Sequence, residues 1–374
     1  MARKKGPSEM GYDYSWVKRP KLSPWSMQVE LHEGCTRRCW FCGIRVFHKK
    51  GEDKVRAAAD SSHDIDLLLL HKIFGELDDW LGSLRVEINS HGEPTLHPSW
   101  FESLQIMSSQ MPTASLNLQT NCEPWIDDDP EFWIRRSFME GLDVLVLNTY
   151  NLKYYDFFLE NLPKWNIPFV DYYYDNPDNV SGNAYFKKEG DMGRVLVWKD
   201  LGLMNTSREV FKLKKNNKRL HNSGGNGDEA LITKKTGTSM RELPLNARCS
   251  KVHREIILGW NGIIPISCQD WRDEFVVGDC NVQDIRDIWF SDRWEAARQL
   301  LYRKRRDLLR PCVGCDDSTT RTGLDKDPAL ELSDVECLDV IRETHKEQWG
   351  SLPLSSLGKW TLHEEMAAVQ TKGL

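Results

Sequence analysis

Cys35, Cys39 and Cys42, in the run Cys-Thr-Arg-Arg-Cys-Trp-Phe-Cys, are the first residues of this chain whose type and spacing suit chemistry. Clustered thiols in a reducing compartment mean metal binding or catalysis more often than disulfides. A bland reading competes, because offsets of four and seven residues also place three small apolar side chains on one face of a buried helix. Against it, Glu33-Gly34 and the β-rich run Ser26–His32 just upstream point to a loop leaving the end of a strand. A zinc site takes four ligands, and no fourth Cys or His stands at a suitable offset nearby, although His91 and other distant residues stay open as a fourth. Three thiolates on a four-iron cubane instead leave one iron free to take a small ligand.

The chain has ten cysteines, and the remainder lie at 122, 249, 268, 280, 312, 315 and 337. Cys249, Cys268, Cys312 and Cys315 offer a second set of four thiols, which suits either structural zinc or a fully ligated cubane. Cys280 is an alternative member of that set, and Cys337 reads as a bystander. Two groups separated by a long stretch almost without cysteine imply two metal sites in two domains.

The rest of the composition bounds the class. The apolar and charged fractions, 40% and 28% over 374 residues, are those of a globular protein long enough for two domains. Met1–Pro7 carries charge with no apolar segment behind it, and the longest apolar runs, such as Leu67–Leu70, are too short to cross a bilayer. A cytoplasmic protein with no membrane partner is therefore expected. The net charge of −6 provides no global attraction to nucleic acid. The basic runs Lys212–Arg219 and Arg303–Arg306, usually solvated faces, permit a local nucleic-acid surface beside Trp198 and Tyr302 without favouring it.

The elements that must hold the cysteines follow from periodicity. Ser26–His32, Leu84–Asn89, Ser115–Gln119, Asp143–Asn148, Phe169–Tyr174 and Arg194–Trp198 read as strands. Ile65–Leu81, Pro98–Met111, Pro130–Glu140 and Leu152–Lys164 read as amphipathic helices between them. Alternation of this kind predicts a parallel sheet, either a partial (β/α)6 barrel or an eight-unit barrel with degenerate strands. Phe211–Gly237 reads as a connector, Arg254–Trp260 and Ile263–Ser267 as a hairpin about Asn261-Gly262, and Asp284 to about Arg306 as one helix. A last helix is expected near Ser333–Trp349. The expected division is an arm at 1–24, the barrel at 25–205, a small α+β domain at 206–320 and a partly helical tail at 321–374.

With these residues in place, the chain resembles the radical SAM superfamily, whose signature is three cysteines spaced C-x3-C-x2-C with an aromatic residue before the last, here Phe41. A second segment agrees: Leu84–Asn89 runs into Ser90-His91-Gly92-Glu93-Pro94, which resembles the Gly-Gly-Glu-Pro turn of that family, with His91 in place of the first glycine. The resemblance implies that Gly92, Glu93 and Pro94 bind the methionyl group of S-adenosylmethionine through the backbone, with glycine needed for close approach. Thr120-Asn121-Cys122 resembles a Thr-Asn-Gly segment of the family, with Cys122 where glycine is usual. Cys122 is then a small buried residue or a hydrogen-atom or proton donor facing the cofactor. Asn148, at the end of the fourth strand, stands where relatives place a polar contact to the cofactor.

Cys249, Cys268, Cys312 and Cys315, with Trp260-Asn-Gly262 and Pro311-Cys312-Val-Gly-Cys315, resemble the SPASM/Twitch extension that holds an auxiliary cluster. The resemblance implies two [4Fe–4S] clusters, S-adenosylmethionine as co-substrate, and an external electron donor of flavodoxin or ferredoxin type. It also implies a 5′-deoxyadenosyl radical that takes hydrogen from a substrate carbon, with the second cluster as electron acceptor. Modification of a peptide is the first expectation for the substrate. The alternatives are a small-molecule or nucleotide-modifying enzyme, such as a dehydrogenase, and a zinc-stabilised binding module without activity.

Overall fold

In the computed structural model of the chain, the described residues are 23–37, 39, 41–43, 63–165, 167, 173–175, 184–187, 194–199, 233, 241–317 and 332–349. Strand β1 (Ser26–Val29) leads into the cysteine loop and pairs in parallel with β2 (Leu84–Ile88) on one side. Alternation along both strands sends Met27, Val29, Val86 and Ile88 into the core. Beyond β2 follow β3 (Ala114–Thr120), β4 (Val144–Thr149) and β7 (Arg194–Lys199), each parallel to its neighbour. On the other side of β1 lies β8 (Glu255–Leu258), also parallel, so six parallel strands run β7-β4-β3-β2-β1-β8.

The helices between them carry the expected signals. α1 (Leu67–Trp80) buries Leu70, Ile73, Phe74 and Leu77, and the Asp66 carboxylate caps it by accepting from the amides of Leu68 and Leu69. α2 (Trp100–Gln110) starts two residues after Pro98, which stays outside the helix. α3 (Glu123–Ile126) is one short turn. α4 (Pro130–Met139) has Pro at its first position behind the capping Asp129, and α5 (Leu152–Asn161) is capped by Asn151.

Three expectations are corrected. The strand expected at Phe169–Tyr174 appears as β5 (Tyr173–Asp175), which pairs antiparallel with β6 (Ala184–Lys187) and adds an antiparallel edge rather than a barrel unit. The hairpin expected about Asn261-Gly262 does not form a ladder. The turn exists, with Gly262 at φ +82°, but Ile256, Ile257 and Leu258 are buried in succession. A strand covered on both faces belongs inside a parallel sheet, and β8 takes the sixth position there. β9 (Ile263–Pro265) pairs antiparallel with β10 (Val276–Asp279) instead. The single helix expected from Asp284 is two, α6 (Ile285–Trp289) and α7 (Asp292–Tyr302), because Ser291 caps the second through the amide of Trp294.

α8 (Arg310–Val313) and α9 (Asp334–Trp349) complete the C-terminal half. Arg303–Arg306 is spent on this packing. Arg303 donates to the Leu332 carbonyl and the Cys337 sulfur, Arg305 pairs with Asp307 and Asp334, and Arg306 is buried. One cluster of buried apolar residues runs without a break from β1 and α1 to α6, α7 and α9. Lys72 of α1 donates to the carbonyls of Cys280 and Gln283, so the cysteine next to β10 faces α1. The connector 211–237, apart from residue 233, the run Lys212–Arg219 and the arm 1–22 lie outside the described residues. No helix among the described residues is long and apolar enough to cross a membrane.

Asp143 clamps β3 to β4. Its amide donates to the Leu116 carbonyl at 2.9 Å, and its Oδ2 accepts from the Leu116 amide at 2.7 Å. Burial raises this carboxyl to about 6. The folded chain therefore holds the proton more tightly than the unfolded chain, whose aspartates titrate near 4. Its contribution to stability falls as pH rises from about 4 to about 6. Asp143→Asn keeps an acceptor and removes the titration, so the variant is expected to lose less stability than the parent between pH 4.5 and 7. Urea denaturation at the two pH values measures the difference, and equal losses refute it.

Candidate functional site

The loop after β1 brings its three thiols to one cleft. Cys35, Cys39 and Cys42 line it together with Arg37, Phe41, Asn89–Glu93, Gln119–Asn121, Asn148 and Tyr150. These residues come from the C-terminal ends of β1, β2, β3 and β4, where a parallel barrel gathers its functional side chains. The base of the loop is tied down by His32 Nδ1 to Asp64 Oδ1 at 2.6 Å and by the Glu33 amide to the His63 carbonyl at 3.0 Å.

The turn at 90–94 meets this loop backbone to backbone. The Glu93 amide donates to the Gly34 carbonyl at 2.6 Å. A Cβ on Gly92 would stand 2.0 Å from the His32 carbonyl oxygen and 2.8 Å from that of Gly34. The glycine thus has a cause in the fold, additional to any approach by a ligand: it lets the turn press against the cysteine loop. The Glu93 side chain, 2% exposed, accepts from Thr95 Oγ1 and Thr120 Oγ1 at 2.7 Å each and from the Asn121 amide at 2.7 Å. Burial pushes its carboxyl above the usual range despite these bonds. Pro94 starts the short turn that Glu93 caps.

Asn121 Nδ2 donates to Cys35 Sγ and to Thr36 Oγ1, both at 3.3 Å. Arg37 is paired with Glu123 of α3, and its guanidinium lies 4.7 Å from the ring centre of Tyr150. Phe41 faces the same tyrosine at 6.2 Å. Burial raises the Cys35 thiol, and the charge of Glu93 and the other two cysteines adds to it. A thiol raised in this way keeps its proton unless a cation arrives. Asn89 Oδ1, Ser90 Oγ and Asn148 Oδ1 are buried atoms of the cleft with no hydrogen-bond partner. Such atoms ask for a polar ligand. Donor chemistry and orphaned acceptors both fit an iron–sulfur cluster with an amino-acid ligand beside it.

Cys122 sits apart. It is fully buried in the core and is not among the residues lining the cleft. Its φ of +58° is left-handed, which explains why glycine suits this position and why cysteine there carries strain.

At the second site, Cys249, Cys312 and Cys315 line one small cavity with Lys251, Ser267, Gln269, Arg306 and Asp317. Cys268 is adjacent but not part of that lining; its Sγ accepts from Lys251 Nζ at 2.9 Å, and the same ammonium is 3.4 Å from Asp317 Oδ2. Arg306 donates to the carbonyls of Ala247 and Arg248, which sets the chain entering Cys249. Asp270 holds the loop after Cys268 by accepting from the amides of Glu274 and Phe275, both at 2.8 Å. Burial and the neighbouring Cys249 push the Cys312 thiol up, and burial takes Cys315 to about 12, so these sulfurs too favour a metal over free thiolate. Cys280 is buried beside Lys72 and Glu76 of α1 and is not among the residues lining that cavity. Cys337 lies on α9 against Arg303. Among the described residues, no group of three or more His, Cys, Asp or Glu side chains closes on a single-ion site.

Arg37, Tyr150 and Lys251 belong to these sites, and sequence reasoning did not single them out; Asn121 entered only within the Thr120–Cys122 segment and Arg306 only as the end of a basic run. Arg37 carried a signal, since it lies inside the cysteine motif. Lys251 carried none, because its partners are set by tertiary packing.

A protein-family profile, the SPASM iron–sulfur cluster-binding domain, matches residues 249–316. No curated protein matches the chain. Among solved structures, BtrN in complex with AdoMet and 2-DOIA is similar at a TM-score of 0.51 and 16% identity, over 82% of this chain and 99% of that one. Two others are anSMEcpe with bound AdoMet and Kp18Cys peptide (TM-score 0.41, 13% identity, 87% and 98% covered) and Streptococcus suis SuiB bound to precursor peptide SuiA (TM-score 0.34, 10% identity, 79% and 73% covered). The chain shares the fold of BtrN, and its C-terminal residues 249–316 match the SPASM iron–sulfur cluster-binding domain.

Two substitutions test this geometry. Gly92→Val is expected to lower iron at the first site as well as cofactor binding, because the added carbons strike the cysteine loop; full iron loading would show that the turn and loop are not locked. Cys122→Gly is expected to retain stability and turnover, whereas Cys122→Val is expected to lower the melting temperature, because a β-branched side chain suits a left-handed backbone worse than cysteine does. Loss of turnover in a stable Cys122→Gly protein would make the thiol a participant after all.

Proposed function

We propose that the protein is a radical SAM enzyme that holds one [4Fe–4S] cluster on Cys35, Cys39 and Cys42 and a second on Cys249, Cys268, Cys312 and Cys315. The observation carrying this reading is the convergence, in one cleft, of three thiols with the Gly92–Pro94 turn and the orphaned atoms of Asn89, Ser90 and Asn148. When bound there, the cluster with S-adenosylmethionine supplies one-electron cleavage of the sulfonium to methionine and a 5′-deoxyadenosyl radical. The protein supplies the rest. The backbone of Gly92–Pro94 and the side chains of Asn89, Ser90 and Asn148 hold the methionyl and polar groups of the co-substrate. Phe41 and Tyr150 wall the cleft, keeping water from a radical that would otherwise be quenched. Arg37 and Asn121 direct positive and hydrogen-bonding groups at the cysteine loop.

The substrate in this reading is a small molecule. A cavity of about 90 Å³, lined by Glu30, Glu33 and His91 from the barrel and by Trp260, Trp271 and Asp273 from the C-terminal half, adjoins the cleft through Ser90 and His91. BtrN, which shares the fold, was solved with AdoMet and 2-DOIA. A peptide is the alternative substrate, and turnover assays with each class decide. An external flavodoxin- or ferredoxin-type donor would supply the electron that starts the reaction, and a cluster held by Cys249, Cys268, Cys312 and Cys315 would supply an acceptor for the electron lost in oxidising the substrate.

Anaerobic reconstitution is expected to give about eight iron and eight sulfide per chain. Replacing Cys35, Cys39 and Cys42 with Ala should halve both and abolish 5′-deoxyadenosine; continued cleavage would disprove the first-site assignment. Replacing Cys312 and Cys315 should leave uncoupled 5′-deoxyadenosine while product is lost, with a circular dichroism melt showing that the domain still folds. Zinc at the second site with normal turnover would refute its redox role.

A further inference from the structure

Position 91 departs from the family pattern that the rest of the turn resembles, and the structure shows what the histidine touches. Its side chain is 8% exposed. Nε2 donates to the carbonyl oxygen of Cys268 at 3.0 Å, across 177 residues of chain. The ring packs on Trp271 with centroids 4.2 Å apart and planes at 33°. Its backbone amide donates to Glu30 Oε1 at 3.2 Å, which anchors the turn to β1.

Trp271 has a second contact that completes the arrangement. A Cβ on Gly43, the residue after Cys42, would stand 2.4 Å from the Trp271 ring. A single tryptophan from the C-terminal half therefore lies against both the cysteine loop and the residue preceding Gly92. From Cys268 the connection is short: one hydrogen bond to His91, two peptide units to Glu93, and one hydrogen bond from the Glu93 amide to Gly34, next to Cys35. A glycine at 91 would have neither the ring nor the donor.

We propose that His91 is a positioning residue that couples the two cysteine sites, so that order at Cys268 sets the Gly92–Glu93 turn and with it the affinity for S-adenosylmethionine. The inference rests on the radical SAM reading above and deepens it. Trp271 is the wedge that keeps the histidine ring, and hence the turn, in register with the cysteine loop. The coupling is a free energy between two binding events and is reciprocal.

The experiment is a double-mutant cycle on S-adenosylmethionine affinity. Equilibrium dialysis is run anaerobically on four full-length, reconstituted proteins: the parent, Cys312→Ala/Cys315→Ala, His91→Gly, and the combination. Loss of the second cluster is expected to weaken binding to the parent by about fivefold or more, within the usual span of coupling between sites. In the His91→Gly background the same loss should change affinity less than twofold. Effects that multiply, with the same fold-change in both backgrounds, overturn the coupling while leaving the enzyme reading intact. A parent that loads the first cluster and binds no S-adenosylmethionine overturns both. Should the double cysteine variant melt, the reciprocal measurement replaces it. Saturating S-adenosylmethionine should slow chelator removal of second-site iron, followed by its own electron paramagnetic resonance signal, in the parent and not in His91→Gly; equal slowing in both overturns the proposal.

Discussion

The buried carboxylate of Glu93 is the interaction on which the arrangement of the first site depends. It accepts from Thr95 at the turn, from Thr120 at the end of β3 and from the Asn121 amide, so the ends of two parallel strands are drawn to one anion. Parallel strands share a sheet but have no short link between their ends, and something must fix the loops that leave them. Glu93 does so for β2 and β3, and its amide bond to Gly34 brings in the loop from β1. Asn121, placed by this anion, then reaches Cys35. A buried carboxyl this well bonded resists replacement, because each donor it serves would be left unpaired.

Charge is managed by different means at the two cysteine sites. Around the first, Arg37 is shared among Glu123, the ring of Tyr150 and Cys39, at the mouth of a half-buried loop. Around the second, Lys251 is half-buried and directed at one sulfur, Cys268, while Arg306 braces the backbone before Cys249. Burial works against free thiolates in both places, and metal–sulfur bonds are the natural compensation. The asymmetry of Cys268, bonded to an ammonium while its three companions line a cavity, gives that sulfur a distinct environment within its set.

The two halves meet through a continuous core and a few polar links rather than through a linker surface. Lys72 and Glu76 of α1 bond to the backbone of residues 280–285, Trp80 packs near Trp289, and β8 is itself a member of the barrel sheet. This is why the strand at 255–258, reached after the connector, closes the parallel run. Its order in the chain suggested a C-terminal hairpin, whereas burial on both faces decided for the sheet.

Local pattern carried much of the reading. The spacing of Cys35, Cys39 and Cys42, the glycine of the turn and the strand-and-helix alternation from 26 to 161 are all properties of short windows, and the sequence by itself determined them. Ligand spacing and amphipathic period act within a few residues, so they are written in neighbouring letters. Tertiary structure alone decided that Cys280 faces α1, that Lys251 serves Cys268, that Cys122 adopts a left-handed backbone, and that His91 touches Cys268. The His91 and Cys280 contacts join residues far apart in the chain. Their energies come from burial and close packing that exist only once the sheet has brought the strand ends together.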